Sequence, residues 1–125
     1  MPKLTIGGKF EWFMNTLEEC GIFVRKLSDR EIEFYIFEEL IIDAGSFLYQ
    51  DNLEELEENG FISSEIKENA LLLREKILGI KHTYLWNIES IRKSSEWLEI
   101  FELSDDIKRE VHKMWTDEEL EALKK

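Results

Sequence analysis

The sequence predicts an all-α (mainly α) fold, a single domain over residues 1–125 arranged as a compact bundle of about five to seven helices. Three observations carry this expectation. Apolar residues recur at spacings of three and four through most of the chain. Residues that cap helices stand repeatedly just ahead of those runs. The single proline is Pro2, so no interior helix is broken by one. With 43% apolar residues, among them 8 Phe, 4 Trp and 3 Tyr, the chain can bury a sizeable core and is too rich in these types to be disordered.

In order along the chain, Phe10, Phe13, Met14 and Leu17 mark a first helix within "GGKFEWFMNTLEECG", with Gly7-Gly8 ahead of it and Gly21 as its stop. Ser28 with Glu31 reads as a capping box for a helix over residues 29–42. The stretch "IFVRKLSDREIEFYIF" has a second reading. Glu31-Ile32-Glu33-Phe34 alternates, and Tyr, Ile and Phe favour strands, so one short β-hairpin near residues 22–37 is the competing expectation. Asp51 with Glu54 resembles another capping box, ahead of a short helix ended by Gly60.

Ser63 or Ser64 starts the next helix, with Ile66, Ala70, Leu73 and Ile77 on its buried stripe and Gly79 at its end. Asn87 caps a short turn. Trp97, Ile100, Phe101, Ile107, Val111 and Met114 then define a long amphipathic helix from Ser95 to Trp115. Thr116 with Glu119 is a further capping box, opening "DEELEALKK". All four tryptophans, at 12, 86, 97 and 115, are expected in the core or half-buried against it.

Charge is distributed unevenly. The chain carries 28 acids and 16 bases, a net charge of −12. Eleven of the acids fall in residues 31–66, where there is no lysine or arginine, which leaves seventeen acids against all sixteen bases elsewhere. In the helix after Asp51, Leu53 and Leu56 point one way as core anchors, and Glu54, Glu55, Glu57 and Glu58 cover most of the remaining circumference. Glu54 and Glu58 repel at i, i+4, and Glu57 and Glu58 sit near a helix C-terminus that prefers cations. On the preceding helix Glu31 and Glu38 stack on one side, with Tyr35, Ile42 and Glu39 beside them.

Two expectations follow for this segment. One is a solvated face that keeps the protein in solution. The other is a docking surface for a basic protein, built from Glu31, Tyr35, Glu38, Glu39, Asp43, Asp51, Glu54, Glu55, Glu57 and Glu58, with Tyr35 and Ile42 as apolar anchors ringed by charge. If the helix is rotated otherwise, Tyr35 and Ile42 belong to the core.

Other chemistries find less support. Asp43 to Glu54 has the length of a calcium loop, but its third, fifth and sixth positions are Gly45, Phe47 and Leu48, so it is not an EF-hand. His82 and His112 have no His or Cys at ligand spacing and read as surface residues; no metal and no cofactor is expected. Cys20 sits beside Glu18 and Glu19 at a helix C-terminus, where a thiolate is disfavoured, and reads as buried or inert. No phosphate-loop, dinucleotide or nucleophile-elbow motif occurs, no carboxylate pair stands out as an acid–base couple, and no catalytic residue is expected.

Bases do not cluster enough for nucleic acid, and a pI near 4.6 turns the chain away from polyanions and anionic lipid. The longest apolar runs, Phe34–Phe37 and Ala70–Leu73, are far too short to cross a membrane. No signal peptide is visible and the single cysteine forms no internal disulfide, so a cytoplasmic protein is expected.

Two segments, "LEELEENGFISSEIKENALLLREKI" (residues 53–77) and "WNIESIRKSSEWLEIFELSDDIK" (residues 86–108), carry a resemblance. A short helix ending in Asn59-Gly60, an apolar pair, a Ser-capped helix containing Leu73-Arg74 and a later Ser95-Glu96-Trp97 helix resemble small acidic helical immunity proteins of bacterial contact-dependent growth inhibition and related polymorphic toxin systems. The resemblance implies a non-catalytic cytoplasmic antitoxin that binds one cognate basic toxin domain, often a nuclease, and blocks it. The charge pattern fits that implication, because a nuclease groove is cationic. The alternative is an acidic helical adaptor or regulatory protein-binding module with no toxin partner. In neither case is a nucleic acid, a membrane or a small-molecule substrate the partner.

Overall fold

A computed structural model describes residues 5–124, which are helical with no strand among them. Pro2 lies outside the described residues. Seven helices are present in this range. They are α1 (Ile6–Glu18), a composite α2, α3 (Gln50–Glu58), α4 (Ser64–Ile80), α5 (Ile88–Lys93), α6 (Ser95–Met114) and α7 (Asp117–Leu123), with a 3₁₀ turn over Ile22–Lys26. Helix α2 is continuous from an α turn, Asp29–Ile32, through a π-helical stretch, Glu33–Leu40, into a second α piece, Ile41–Phe47.

The competing hairpin does not form: residues 22–37 lie in the 3₁₀ turn and in α2. The reason is a stripe that the alternation concealed. Ile32, Ile36, Leu40, Ala44 and Leu48 are all fully buried, each four residues after the last. In an α-helix a four-residue step overshoots one turn by about 40°, so such a stripe drifts around the cylinder. The wider i→i+5 turn of a π-helix brings a four-residue step short of a full turn and offsets that drift. The π stretch thus keeps one straight apolar seam against the core.

Most helix ends follow local chemistry. Both capping boxes, Ser28 with Glu31 and Thr116 with Glu119, are formed. Ser63, Asn87 and Ser94 each accept a bond from a first-turn N–H. Gly60, at φ 79°, closes α3 in a Schellman arrangement in which its own N–H donates to Glu57 O at 2.9 Å and the Phe61 N–H to Leu56 O at 2.9 Å.

Three ends differ from the sequence reading. Asp51 is no cap, since α3 begins one residue earlier, after Tyr49, which makes no side-chain capping bond. Gly79 lies inside α4, which runs to Ile80, and the chain reverses at His82, at φ 63°. Gly21 is not a left-handed stop either. It is needed for close approach, because a Cβ there would meet Asp105 Oδ1 at 2.7 Å.

Helix α1 is central, packing against α2, α3, α6 and α7, while α4 packs along α6. Trp97, Phe10, Phe13 and Phe101 fill the interior. Trp97 Nε1 donates to Leu85 O at 2.7 Å and Trp115 Nε1 to Phe61 O at 3.0 Å, so both indoles tie a loop to the core. Trp12, expected in the core or half-buried against it, and Met114, on the apolar stripe of the long helix, are instead each 39% exposed. Trp12 stacks on Phe47, with ring centroids 5.4 Å apart, across the contact between α1 and α2.

Candidate functional site

The acidic residues singled out from the sequence separate into three environments. Glu31, Glu38, Asp51 and Glu58 are exposed, although Glu31 also serves the capping box. Tyr35 is half-buried and in edge contact with Phe34. Ile42 is 65% exposed, so it stands on the surface and outside the core. Exposed Phe34 and half-buried Phe37 line a shallow depression with Arg30, Glu33 and Glu38. Aromatic and acidic side chains thus alternate on the outer side of α2.

The second group is bonded within the chain, although the segment itself holds no base. Lys9 reaches Glu55 at 2.6 Å and Lys67 reaches Glu57 at 2.9 Å. Each base comes from an adjoining helix, α1 or α4, outside the stretch that has none. The bond from Lys67 to Glu57 pushes the lysine pKa up from its usual value, and it meets the conflict expected at the C-terminus of α3. Glu54 is half-buried and accepts from Gln50 Nε2 at 2.8 Å.

In the third group Asp43, expected on the docking surface, is instead buried. Asp43 is 5% exposed and Glu39 half-buried, and both turn toward Glu19, the C-cap of α1, which is 8% exposed. One carboxylate oxygen from each of the three lies within 4.8 Å of the other two. Burial pushes the Glu19 carboxyl up to about 9, helped by a hydrogen bond with Asp43 and by the charges of Asp43 and Glu39. Glu19 Oε1 and Asp43 Oδ2 are buried and receive no donor from any residue outside the cluster.

The neighbouring polar groups on this side of α1 are satisfied. Thr16 Oγ1 donates to Trp12 O at 2.8 Å, Cys20 Sγ donates to Ser104 Oγ at 3.3 Å, and Ser104 Oγ donates to Leu17 O at 2.9 Å. Cys20 is fully buried and burial pushes its thiol up to about 12, so it is no nucleophile at neutral pH.

Sequence reasoning missed Glu19 because its partners lie on another helix. The available signal was the i, i+4 pair Glu39 and Asp43 beside the fully buried Leu40 and Ala44. A separate apolar cleft of about 250 Å³ lies between α4, the following loop and α6, lined by Ile80, Leu85 and Ile100 among others. It shares no residue with the acidic groups. His82 and His112 are both exposed. No helix among the described residues is long and apolar enough to cross a membrane. Compared with protein-family models, curated proteins and solved structures, the chain matches none.

Proposed function

We propose that this protein is a non-catalytic binding module that docks a basic protein through the exposed acidic and aromatic surface of α2 and α3. In its specific form the reading is an immunity protein that covers the cationic groove of a toxin nuclease domain and blocks it. One observation carries it. Of the eleven acids in residues 31–66, only Glu55 and Glu57 have a lysine or arginine within 4.0 Å among the described residues. Of the seventeen elsewhere, eight do. Unpaired surface acids beside exposed Phe34 and Ile42 match the charged rim and apolar anchor of a docking site. A cationic groove supplies the complementary field, which speeds encounter and discriminates against wrong partners.

The test compares two charge reversals. Glu33→Lys, Glu38→Lys and Glu58→Lys together change exposed, unpaired acids of α2 and α3. Glu96→Lys, Glu102→Lys and Glu118→Lys change net charge equally on exposed sites of α6 and α7. The partner is first recovered from cells with the wild-type chain, and its activity is then assayed with each purified variant. The first triple mutant should bind about 10- to 100-fold more weakly, mostly through slower association, and the second should bind nearly as wild type. Equal losses would reduce the effect to net charge, and no loss would make the surface mere solvation. A recovered partner that is acidic, or whose activity is unchanged by stoichiometric binding, sinks the immunity reading.

A further inference from the structure

We propose that Glu19, Glu39 and Asp43 form a binding site for a hard divalent cation of the Mg²⁺, Mn²⁺ or Ca²⁺ class. The proposal does not rest on the docking surface, whose exposed residues are a different set. It rests on geometry and on two orphaned atoms. Three carboxylates, one from the C-cap of α1 and two from α2, converge so that one oxygen of each lies within 4.8 Å of the others. Oxygens up to about 4.8 Å apart can both touch a cation held at about 2.4 Å from each. No lysine or arginine stands within 4.0 Å of any of the three among the described residues, and no donor from outside the cluster reaches Glu19 Oε1 or Asp43 Oδ2.

Buried carboxylate oxygens without a donor are costly, and the surrounding helices leave them so while satisfying Thr16, Cys20 and Ser104. A cation between them removes that cost and ties α1 to α2. The donor set decides the class of ion. All three donors are carboxylate oxygens, with no imidazole or thiolate in the cluster, which suits hard cations over zinc. Half-buried Glu39 leaves one side open to solvent, where water completes the coordination sphere.

The test uses the full chain, stripped with chelator, dialysed and titrated with manganese chloride. Bound ion is counted from the loss of the free Mn²⁺ paramagnetic resonance signal, and the melting temperature is followed in parallel. One Mn²⁺ per chain and a rise in melting temperature are expected, with Mg²⁺ and Ca²⁺ as competitors to rank the ions. Glu19→Gln, Asp43→Asn and Glu39→Gln should each weaken Mn²⁺ binding at least about tenfold. Glu38→Gln, on the exposed side of the same helix, should leave it unchanged. Glu39 is only half-buried, so its variant keeps the comparison valid should either buried variant fail to fold. No stoichiometric uptake below about 1 mM Mn²⁺ would overturn the proposal. So would uptake that Glu38→Gln weakens as much as Glu39→Gln does, since the ion would then be a counterion to diffuse charge.

Discussion

Helices α2 and α6 are both long and both rich in acid, yet they handle charge in opposite ways. Along α6, Asp105 pairs with Lys108, Asp106 with Arg109 and Glu110 with Lys113, each three residues apart on the helix's own surface. Beyond Arg30, α2 carries five acids and no base, so no such pairing is available to it. Its acids either remain in solvent or turn inward to Glu19, and the acids of α3 borrow Lys9 and Lys67 from other helices. Charge on the second half of α6 is settled mainly on the helix itself, while Glu99 nearer its start reaches Lys76 on α4. Charge on α2 and α3 depends on tertiary neighbours, on a bound cation or on another molecule.

What holds the acidic part in place should therefore be its apolar seam, with ion pairs secondary. Leu56 is fully buried under α3. Leu56→Ala should cost about 2–5 kcal/mol in denaturant unfolding. Glu57→Gln, which breaks the half-exposed pair with Lys67, should cost less than about 1 kcal/mol. Comparable losses would mean that ion pairs anchor this helix, and the contrast with α6 would collapse.

A second effect separates the regions by pH. In chelator, the Glu19 carboxyl has a folded-state pKa of about 9, above its value in the unfolded chain, with Asp43 and Glu39 facing it. Its contribution to stability is thus fully present below about pH 4.5 and is lost progressively as the pH rises toward 9. The melting temperature of the metal-free protein should fall from pH 5 to pH 9, and Glu19→Gln should flatten that fall. Glu102→Gln on α6 should leave the slope unchanged. A wild-type slope that persists in Glu19→Gln would assign it to another group.

The smallest effect concerns salt. Screening shortens the repulsion among the acids of α2 and α3 while weakening the pairs of α6. The first dominates if the acidic surface is as unpartnered as it stands here, so the melting temperature should rise by about 1–3 °C up to about 0.3 M sodium chloride. A steady fall would show the paired half in control. Sodium chloride is the appropriate salt, because strongly excluded salts stabilise most folds regardless.

The parts of this fold legible in the sequence were those encoded within a few residues. Ser28 with Glu31, Thr116 with Glu119, Asn87 and the left-handed Gly60 close their own hydrogen bonds and need no distant partner. Asp51 with Glu54 carried the same pattern, but only two residues, Leu48 and Tyr49, separate α2 from α3, which puts Asp51 already inside the first turn. The acidic cluster was less legible. Lys9 lies 46 residues from Glu55, and Glu19 meets Asp43 only once α1 and α2 have packed. Charge counted along a chain registers neither contact, so Glu55 and Glu57 looked unpartnered and Asp43 looked exposed.

The π-helical stretch has a consequence for changes in chain length. Removing one residue from an ordinary α-helix turns everything after it by about 100° and carries a buried face into solvent. A π turn already holds more residues than an α turn, so it can shed one and relax toward α geometry. Deleting Phe34 or Tyr35 would change the buried steps from Ile32 onward from four, four, four and four to three, four, four and four, closer to the 3.6-residue period. The downstream half of α2, with Asp43 facing Glu19, would keep its register. Glu33–Leu40 is therefore where this helix best tolerates the loss of a residue, and the same deletion in α6 would swing Ile107 and Val111 away from the core they fill.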